Sequence, residues 1–225
     1  MDWSAIGLSV RLAAATTCIL LVVGLPLAGW LALSQRRGRW VVDALVALPL
    51  VLPPTVLGFY VLVALGPRSP IGRAYESIVG SPIVFSFQGL LAASVLYSLP
   101  FAVQPFAAAF AAVDRSLIET AWCLGASRVR TFFRIVVPLA RPGIIAGVVL
   151  SFAHTVGEFG VVLMVGGNLP GATRTVSISI YDDVQAFEYA RAGRTAALLL
   201  LFSFAVLAMT YRVQRRSGRS WPLGS

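Results

Sequence analysis

The chain has 225 residues, of which 58% are hydrophobic and 12% are charged, about half the ~25% charged residues of an ordinary soluble domain. A soluble domain of this length could not bury so much apolar surface, so a mean hydropathy of +0.84 excludes a soluble enzyme or a disordered regulator and indicates an integral membrane protein. The formal charge is +9, and all 18 basic residues are arginine.

Five apolar stretches are long enough, or nearly so, to cross a bilayer core of ~30 Å, which takes about 20 helical residues. They cover residues 12–33, 44–65, 89–113, 143–165 and 195–211, and the last, with 17 residues, has to extend into its flanks. We therefore expect an all-α membrane protein with about five transmembrane helices. Residues 1–215 should form one transmembrane domain, followed by a polar tail at 216–225.

The arginines divide unevenly between the segments that flank these stretches. Twelve lie after the first stretch, after the third or in the tail, and six lie in the other segments. Because cytoplasmic segments carry the excess of basic residues, the split predicts an external N-terminus and a cytoplasmic C-terminus. It also explains the basic composition without nucleic acid as a partner.

Prolines interrupt three of the five stretches, and each is expected to kink its helix because it removes a backbone donor. They are Pro26 in the first stretch, Pro49, Pro53 and Pro54 in the second, and Pro100 and Pro105 in the third. Freed carbonyls are tolerated in a membrane where neighbouring helices or a water-filled cavity satisfy them. Several kinked helices therefore favour a packed bundle around a path over a passive anchor.

The segment 114–138, between the third and fourth stretches, is amphipathic. Ser116 with Glu119 three residues later has the spacing of a capping box, which predicts a helix start. Gly125 is expected to end this helix in the left-handed conformation, after an apolar stripe formed by Leu117, Ile118, Ala121 and Leu124. Ser127 can cap a second short helix that stops near Pro138. From periodicity alone, this pair of helices is either a membrane-surface element or a docking element for a cytosolic partner.

The residues of this segment resemble a known signature. Glu119-Thr-Ala121, then Gly125, then Ile135-Val-Val-Pro138 is similar to the EAA motif of permease subunits of bacterial ABC importers, with Thr120 and Val137 as mild departures. The resemblance implies that the segment fits a cleft in a separate ATP-binding subunit and transmits its closure to the pore. The coupling residues would be Glu119, Ala121, Gly125, Ser127 and Pro138.

Four further strings narrow the resemblance to the molybdate permeases of the ModB type: residues 48–60, 97–105, 152–168 and 173–181. It implies the fold of type I ABC importer permeases, a place in the inner membrane and an extracytoplasmic molybdate-binding protein as partner. It leaves molybdate and tungstate unresolved, and sulfate or thiosulfate permeases are the alternative.

The chain has no Gly-x-x-x-x-Gly-Lys-[Ser/Thr] loop and no lysine, so ATP and magnesium should be used by two cytosolic ATPase subunits rather than by this chain. We expect the chain not to be an enzyme and to bind no cofactor. Five helices are few to enclose a pore, which favours a homodimer with the path on its axis. An ion-coupled transporter would show internal repeats and an intramembrane hydrolase a motif such as His-Glu-x-x-His, and neither is found.

Polar residues form a stripe in the fourth stretch. Ser151, His154, Thr155 and Glu158 are spaced i, i+3, i+4 and i+7, which predicts one face of a continuous helix. Ionisable groups in a membrane usually face the bundle interior or a cavity, so the stripe is either a helix-locking network or part of a gate or translocation path. Direct contact of an ionised Glu158 with a dianion is disfavoured, since repulsion at 4 Å would cost about 8 kcal/mol at an effective dielectric of ~20. With one histidine in the chain, we expect no metal site.

Residues 173–187 alternate polar and apolar side chains, which is compatible with a short interfacial helix or with a hairpin. Asp182, Asp183 and Glu188 should lie on the external side. They form either a solvated face or a contact with the solute-binding protein.

Overall fold

The computed structural model describes residues 1–34 and 36–218, with side chains described as far as Arg212. The predicted polar tail, 216–225, therefore lies outside the described residues from position 219 onward. The described part of the chain forms α-helices and one π-helical turn, Phe132–Val136, between α7 and α8. The α-helices are α1 (Trp3–Leu33), α2 (Arg39–Val51), α3 (Pro54–Leu65), α4 (Pro70–Val79), α5 (Phe87–Ala111), α6 (Arg115–Cys123), α7 (Arg128–Thr131), α8 (Val137–Leu139), α9 (Arg141–Gly157), α10 (Gly160–Gly166), α11 (Val176–Gln185) and α12 (Tyr189–Gly218).

Three of these helices, α1, α5 and α12, are long and apolar enough to cross a membrane individually. Two helix pairs reach the same length and hydropathy only together: α2 with α3, bent by 113°, and residues 128–139 with α9, bent by 76°. The described residues thus contain three candidate spans, or up to five if each bent pair is one span. The predicted all-helical membrane architecture is confirmed at this level.

The first helix begins nine residues before the predicted span. The side chain of Asp2 accepts a hydrogen bond from the Ala5 N–H at 3.0 Å and caps α1, which then runs for 31 residues, or about 46 Å. The last helix likewise extends the short fifth stretch at its N-terminal side, to Tyr189.

The core is built on α1, α5 and α9. Leu20 and Leu31 of α1 are buried against Phe106 and Phe110 of α5, which are fully buried. Pro26, Pro100 and Pro105 lie inside α1 and α5, and neither helix is broken at them. Close packing along their length holds these helices together, and the expected kink at each proline stays a prediction.

The second stretch does break. Leu52 and Pro53 have extended backbones, with ψ of 135° and 137°. Each precedes a proline, whose Cδ disfavours the helical conformation of the residue before it. The helices on either side have 13 and 12 residues, each about 20 Å or less and too short to cross a bilayer alone.

The fourth stretch breaks as well. Helix α9 ends at Gly157, Glu158 is extended with ψ of 140°, and α10 begins only at Gly160. Residues 173–187, left open between helix and hairpin, contain α11. Helix α4, which lies between two apolar stretches, was not predicted.

Candidate functional site

A cavity of about 580 Å³ lies where the two broken stretches meet. Gly160, at the start of α10, faces Pro54, at the start of α3, and a Cβ on Gly160 would come within 2.7 Å of the Pro54 Cβ. Gly58 faces Met164 in the same way, at 2.8 Å. The absence of side chains at Gly58 and Gly160 lets the two short helices approach closely. The cavity is lined by Pro54, Thr55, Tyr97, Ala153, His154, Gly157, Glu158, Phe159 and Gly160.

A hydrogen-bond network ties one wall of this cavity to α5. The Ser98 hydroxyl lies 3.0 Å from Nδ1 of His154 and 2.9 Å from the Thr155 hydroxyl, which donates to the Ser151 carbonyl at 2.8 Å. Since Thr155 has one proton to donate, the consistent assignment has Ser98 donating to Thr155 and the Nδ1–H of His154 donating to Ser98. This tautomer leaves Nε2 as the acceptor of the ring.

Aromatic rings hold the imidazole in place. The Phe101 ring stacks on His154 with centroids 3.8 Å apart and an interplanar angle of 22°, and the Tyr97 ring lies at 4.9 Å. Both aromatic residues belong to α5, one helical turn apart. The His154 side chain is therefore oriented by α5 through two ring contacts and one hydrogen bond.

Glu158 is separate from this network. Its residue is 5% exposed, and neither carboxylate oxygen has a hydrogen-bond partner among the described residues. The Ser94 hydroxyl of α5 is likewise buried without a hydrogen-bond partner among the described residues. Among the described residues, none of the ion pairs includes Glu158. A buried carboxylate without a partner is costly to maintain in this position.

The predicted stripe is thus only partly one surface. Ser151, His154 and Thr155 lie on α9 as expected, but the Ser151 hydroxyl donates to its own helix, at the Val148 carbonyl, rather than to the network. Glu158 lies past the end of α9, so the i+7 relation that placed it on the same helical face does not hold. The reason is the break after Gly157, where the Glu158 N–H bonds to Thr155 at 3.4 Å instead of continuing the helix.

The segment 114–138 forms the expected pair of short helices, with a different first cap. The carboxylate of Asp114 accepts from the Ser116 N–H at 2.9 Å, while Glu119 pairs with Arg115 at 3.0 Å on an exposed surface. The Ser116–Glu119 capping box is therefore wrong, because Asp114 is an equally good cap two residues earlier. Hydrogen bonds from Ser116 hold the pKa of Asp114 below its ordinary value.

The glycine corner of this segment is confirmed. Gly125 has φ of +82°, and the Ser127 hydroxyl accepts from the Arg130 N–H at 3.3 Å to cap α7. The second helix continues through the π-helical turn and ends at Leu139, one residue after Pro138. Of the predicted stripe, Ile118 and Ala121 are buried, whereas Leu117 and Leu124 are exposed.

One ring anchors this segment to the bundle. Phe132 packs beside Gly29 of α1, so closely that a Cβ on Gly29 would come within 2.6 Å of the ring, and it makes an edge contact with Phe110 of α5 at 5.2 Å. Phe132 therefore joins the segment directly to the two core helices α1 and α5.

Comparison with known proteins identifies the family. Residues 22–219 match the model of the binding-protein-dependent transport system inner membrane component family. The chain is 54% identical over 214 residues to the molybdenum transport system permease protein ModB of Azotobacter vinelandii, covering 95% of both chains. It is 36% identical over 208 residues to the protein of the same name from Escherichia coli K12, covering 92% of this chain and 89% of that one. The chain belongs to this family.

The fold is similar to that of a solved ABC transporter chain. A chain of a bacterial alginate ABC transporter, solved in complex with an alginate pentasaccharide-bound periplasmic protein, superposes with a TM-score of 0.76. That likeness covers 97% of this chain and 80% of the other at 17% identity, so it bears on the fold alone. As a member of the family, the permease is a multi-pass inner membrane component and not an enzyme, as the sequence predicts.

Sequence reasoning missed the residues of α5 that lie beside the predicted stripe. Ser98 and Phe101 contact His154, and Ser94, one turn before Ser98, is buried without a hydrogen-bond partner among the described residues. Polar residues at positions 94 and 98, four apart in an otherwise apolar helix, were the available signal.

The acidic residues after α10 are not simply a solvated face. Asp182 pairs with Arg174 at 3.4 Å and accepts from Asn168 at 2.8 Å, while Asp183 pairs with Arg191 at 3.4 Å and is buried. Glu188 is exposed. Two of the three carboxylates therefore stabilise the fold of this region.

Proposed function

We propose that this chain is the membrane permease subunit of an importer of molybdate, with tungstate as a chemically similar substrate. The observation that supports the substrate is the 54% identity, over 95% of both chains, to a molybdenum transport permease. A likeness over nearly the whole length includes the residues around the cavity as well as those of the core.

The arrangement in the membrane is part of the proposal. The 12-to-6 split of the arginines favours an external N-terminus and a cytoplasmic C-terminus, with residues 1–215 as one transmembrane domain and 216–225 as a cytoplasmic tail. The functional unit is a homodimer in the inner membrane, joined by two cytosolic ATPase subunits and an extracytoplasmic molybdate-binding protein. The binding protein supplies most of the substrate selection.

In this unit the segment 114–138 is the element that couples to the ATPase. Leu117 and Leu124 are 45% and 83% exposed, so α6 offers an apolar surface to a partner. Gly125 sets the corner between the helices, Ser127 begins the second, and Pro138 lies near its end. Glu119 and Ala121 are the EAA positions of the motif, and Phe132 carries the movement to α1 and α5.

The cavity is the part of the translocation path that opens and closes. It lies between two helix breaks, and short helices that meet through glycine can separate more easily than a continuous span. His154 and Thr155 are held by Ser98 on the more rigid α5, whereas Glu158 lies in the break itself. Glu158 therefore acts as part of the gate and does not contact the oxyanion, which an ionised carboxylate would repel.

Transport by the reconstituted complex tests the substrate. Proteoliposomes that contain the permease with its co-purified ATPase, ATP inside and loaded binding protein outside, should accumulate radiolabelled molybdate. Unlabelled tungstate should compete and sulfate should not. Accumulation of labelled sulfate without molybdate would contradict the proposal in favour of a sulfate permease.

Thiol labelling tests the orientation. After Cys18 and Cys123 are replaced, single cysteines are introduced at four exposed positions: Ile78 and Leu169 for the outside, Leu124 and Val129 for the inside. A membrane-impermeant reagent should reach the first two only from outside the cell and the last two only from the cytoplasm. Labelling of position 124 from outside would contradict the orientation.

The gate is tested with Glu158→Gln, which keeps the size of the side chain but removes its charge. ATP hydrolysis should lose its dependence on the loaded binding protein, with Glu76→Gln on exposed α4 as the matched control. Equal stimulation and equal molybdate uptake in Glu158→Gln and wild type would leave the polar residues with a structural role alone.

A further inference from the structure

A second cavity, of about 430 Å³, lies where the end of α1 meets α6, α7 and the π-helical turn. Three arginines line it, from three separate parts of the chain: Arg36, Arg115 and Arg128. Arg128 lies over the Trp122 ring, 5.8 Å from its centroid. Arg115 pairs with Glu119, whereas no ion pair of Arg36 or Arg128 is found among the described residues, so these two give the cavity a positive charge that favours an anion.

A smaller apolar cavity of about 140 Å³ adjoins the first. The two share four lining residues, Leu33, Arg115, Ile118 and Trp122. From these the smaller cavity continues between α1 and α5, where Ala32, Phe110, Ala111 and Val113 line it. The basic cavity is therefore joined to an apolar one, and the pair suits a molecule with an anionic head and a hydrocarbon chain.

The depth of the site fits such a molecule. Leu33 is the last residue of α1 and Ala111 the last of α5, and both helices are apolar candidate spans. The ends of two spans lie at the border between hydrocarbon and headgroups. Basic residues in crevices at this level are typical of sites for anionic phospholipid headgroups.

The site also lies on a different face of α6 from the proposed ATPase contact. Ile118 and Trp122, four residues apart, line the cavities, whereas Leu117 and Leu124, seven apart, do not. A lipid in the cavity would therefore support the coupling segment from the side of Ile118 and Trp122, while Leu117 and Leu124 remain open to the partner.

We infer that these joined cavities bind one anionic phospholipid, with its phosphate between Arg36 and Arg128 and part of one acyl chain against Phe110. The assignment to the cytoplasmic leaflet rests on the proposed orientation, but binding itself does not. The bound lipid would fill the space between α1 and α6 and so brace the coupling segment.

Native mass spectrometry of the purified permease in detergent tests the inference, with phosphatidylglycerol as the probe. Wild type should retain one tightly bound phosphatidylglycerol and bind phosphatidylcholine with the same acyl chains much more weakly. Each arginine near a headgroup contributes about 1 kcal/mol, so Arg36→Gln and Arg128→Gln should each weaken binding about fivefold and the double variant roughly 25-fold. Arg134→Gln, an exposed arginine of the π-helical turn that lines neither cavity, is the matched control and should bind as wild type does.

Three results would overturn the inference. Equal affinity for the two lipids would mean that the cavity does not distinguish headgroups by their charge. Equal loss of binding in Arg134→Gln would mean that the net charge of the protein alone attracts the lipid. Binding of glycerol phosphate as tight as that of the lipid would indicate a small-anion site. Arg128→Lys, which keeps the charge, should retain most of the binding and guards against a folding defect in the glutamine variants. Because the assay needs neither ATPase nor molybdate, failure of molybdate transport would leave its result standing.

Discussion

The two proline-containing helices of the core, α1 and α5, and the broken second stretch respond differently to proline. Helix α5 contains Pro100 and Pro105 and stays continuous for 25 residues, whereas the chain breaks at Pro53-Pro54. In α5 the residues between and around the prolines, such as Ala102 and Phe106, are fully buried against α1 and α9. Around Pro54 the side chains are largely exposed or line a cavity.

The difference shows that a proline in a membrane helix marks a weak point, and that packing decides whether the weak point opens. Where neighbouring helices pack around the proline, the backbone stays helical because there is no space for it to turn. Where a cavity lies beside it, the chain can turn, and two consecutive residues that each precede a proline make the turn favourable. The two breaks are then brought together by glycine contacts, at Gly58 and Gly160.

The largest effect should come from a larger side chain between α5 and α9. In Gly147→Val the new Cβ would lie 2.5 Å from the buried Phe106 ring and 3.0 Å from the Ala102 carbonyl, neither of which can move easily. The free energy of unfolding should fall by about 3 kcal/mol or more, measured by denaturant titration in detergent. Gly7→Val, where nothing lies within 4 Å, is the control and should change little. Equal stability of the two variants would mean that α5 and α9 are not held as described.

A smaller loss of stability is expected at the contact between α3 and α10, next to the helix breaks. In Gly58→Val the new Cβ would lie 2.8 Å from the Met164 Cβ and 3.2 Å from the Val161 Cα, so the short helices α3 and α10 have to separate slightly beside the cavity. The free energy of unfolding should fall by about 1–2 kcal/mol, while molybdate uptake should be lost because the cavity changes shape. Unfolding as severe as in Gly147→Val would show that the cavity region is as rigid as the core.

The link between the two regions is tested by Ser98→Ala. Removal of this hydroxyl leaves His154 and Thr155 without their shared partner, which should lower the free energy of unfolding by about 1–2 kcal/mol. Ser151→Ala is the matched control, since its hydroxyl bonds only within α9. If both variants lose the same stability, the network contributes nothing beyond burial of the hydroxyl.

The smallest effect concerns the start of the coupling segment, which lies outside both regions. Hydrogen bonds from Ser116 lower the pKa of Asp114 in the folded state, so this cap stabilises α6 above the unfolded pKa of about 3.8 and the contribution is lost as the pH falls below it. Amide exchange at Ser116 and Leu117 should therefore accelerate at acidic pH. Asp114→Asn, which caps without titrating, should remove this pH dependence. An unchanged pH profile in that variant would assign it to another group.

The sequence by itself determined the membrane-bound, all-helical character of the chain, since no soluble fold could bury 58% hydrophobic residues at this length. It also determined the two short helices around Gly125, because a left-handed glycine and a serine cap act through local backbone geometry. Local chemistry of this kind needs no distant partner.

Tertiary structure decided which of the proline-containing helices broke and which stayed continuous. The i, i+3, i+4, i+7 spacing predicts Glu158 and His154 on one face of a continuous helix, yet the helix ends at Gly157, and the hydrogen-bond partner of His154 is Ser98 of α5. Likewise Pro100 left its helix intact because α1 and α9 pack around it. The Leu52-Pro53-Pro54 sequence marks one break locally, but the continuity of α1 and α5 at their prolines depends on contacts between residues far apart in the chain.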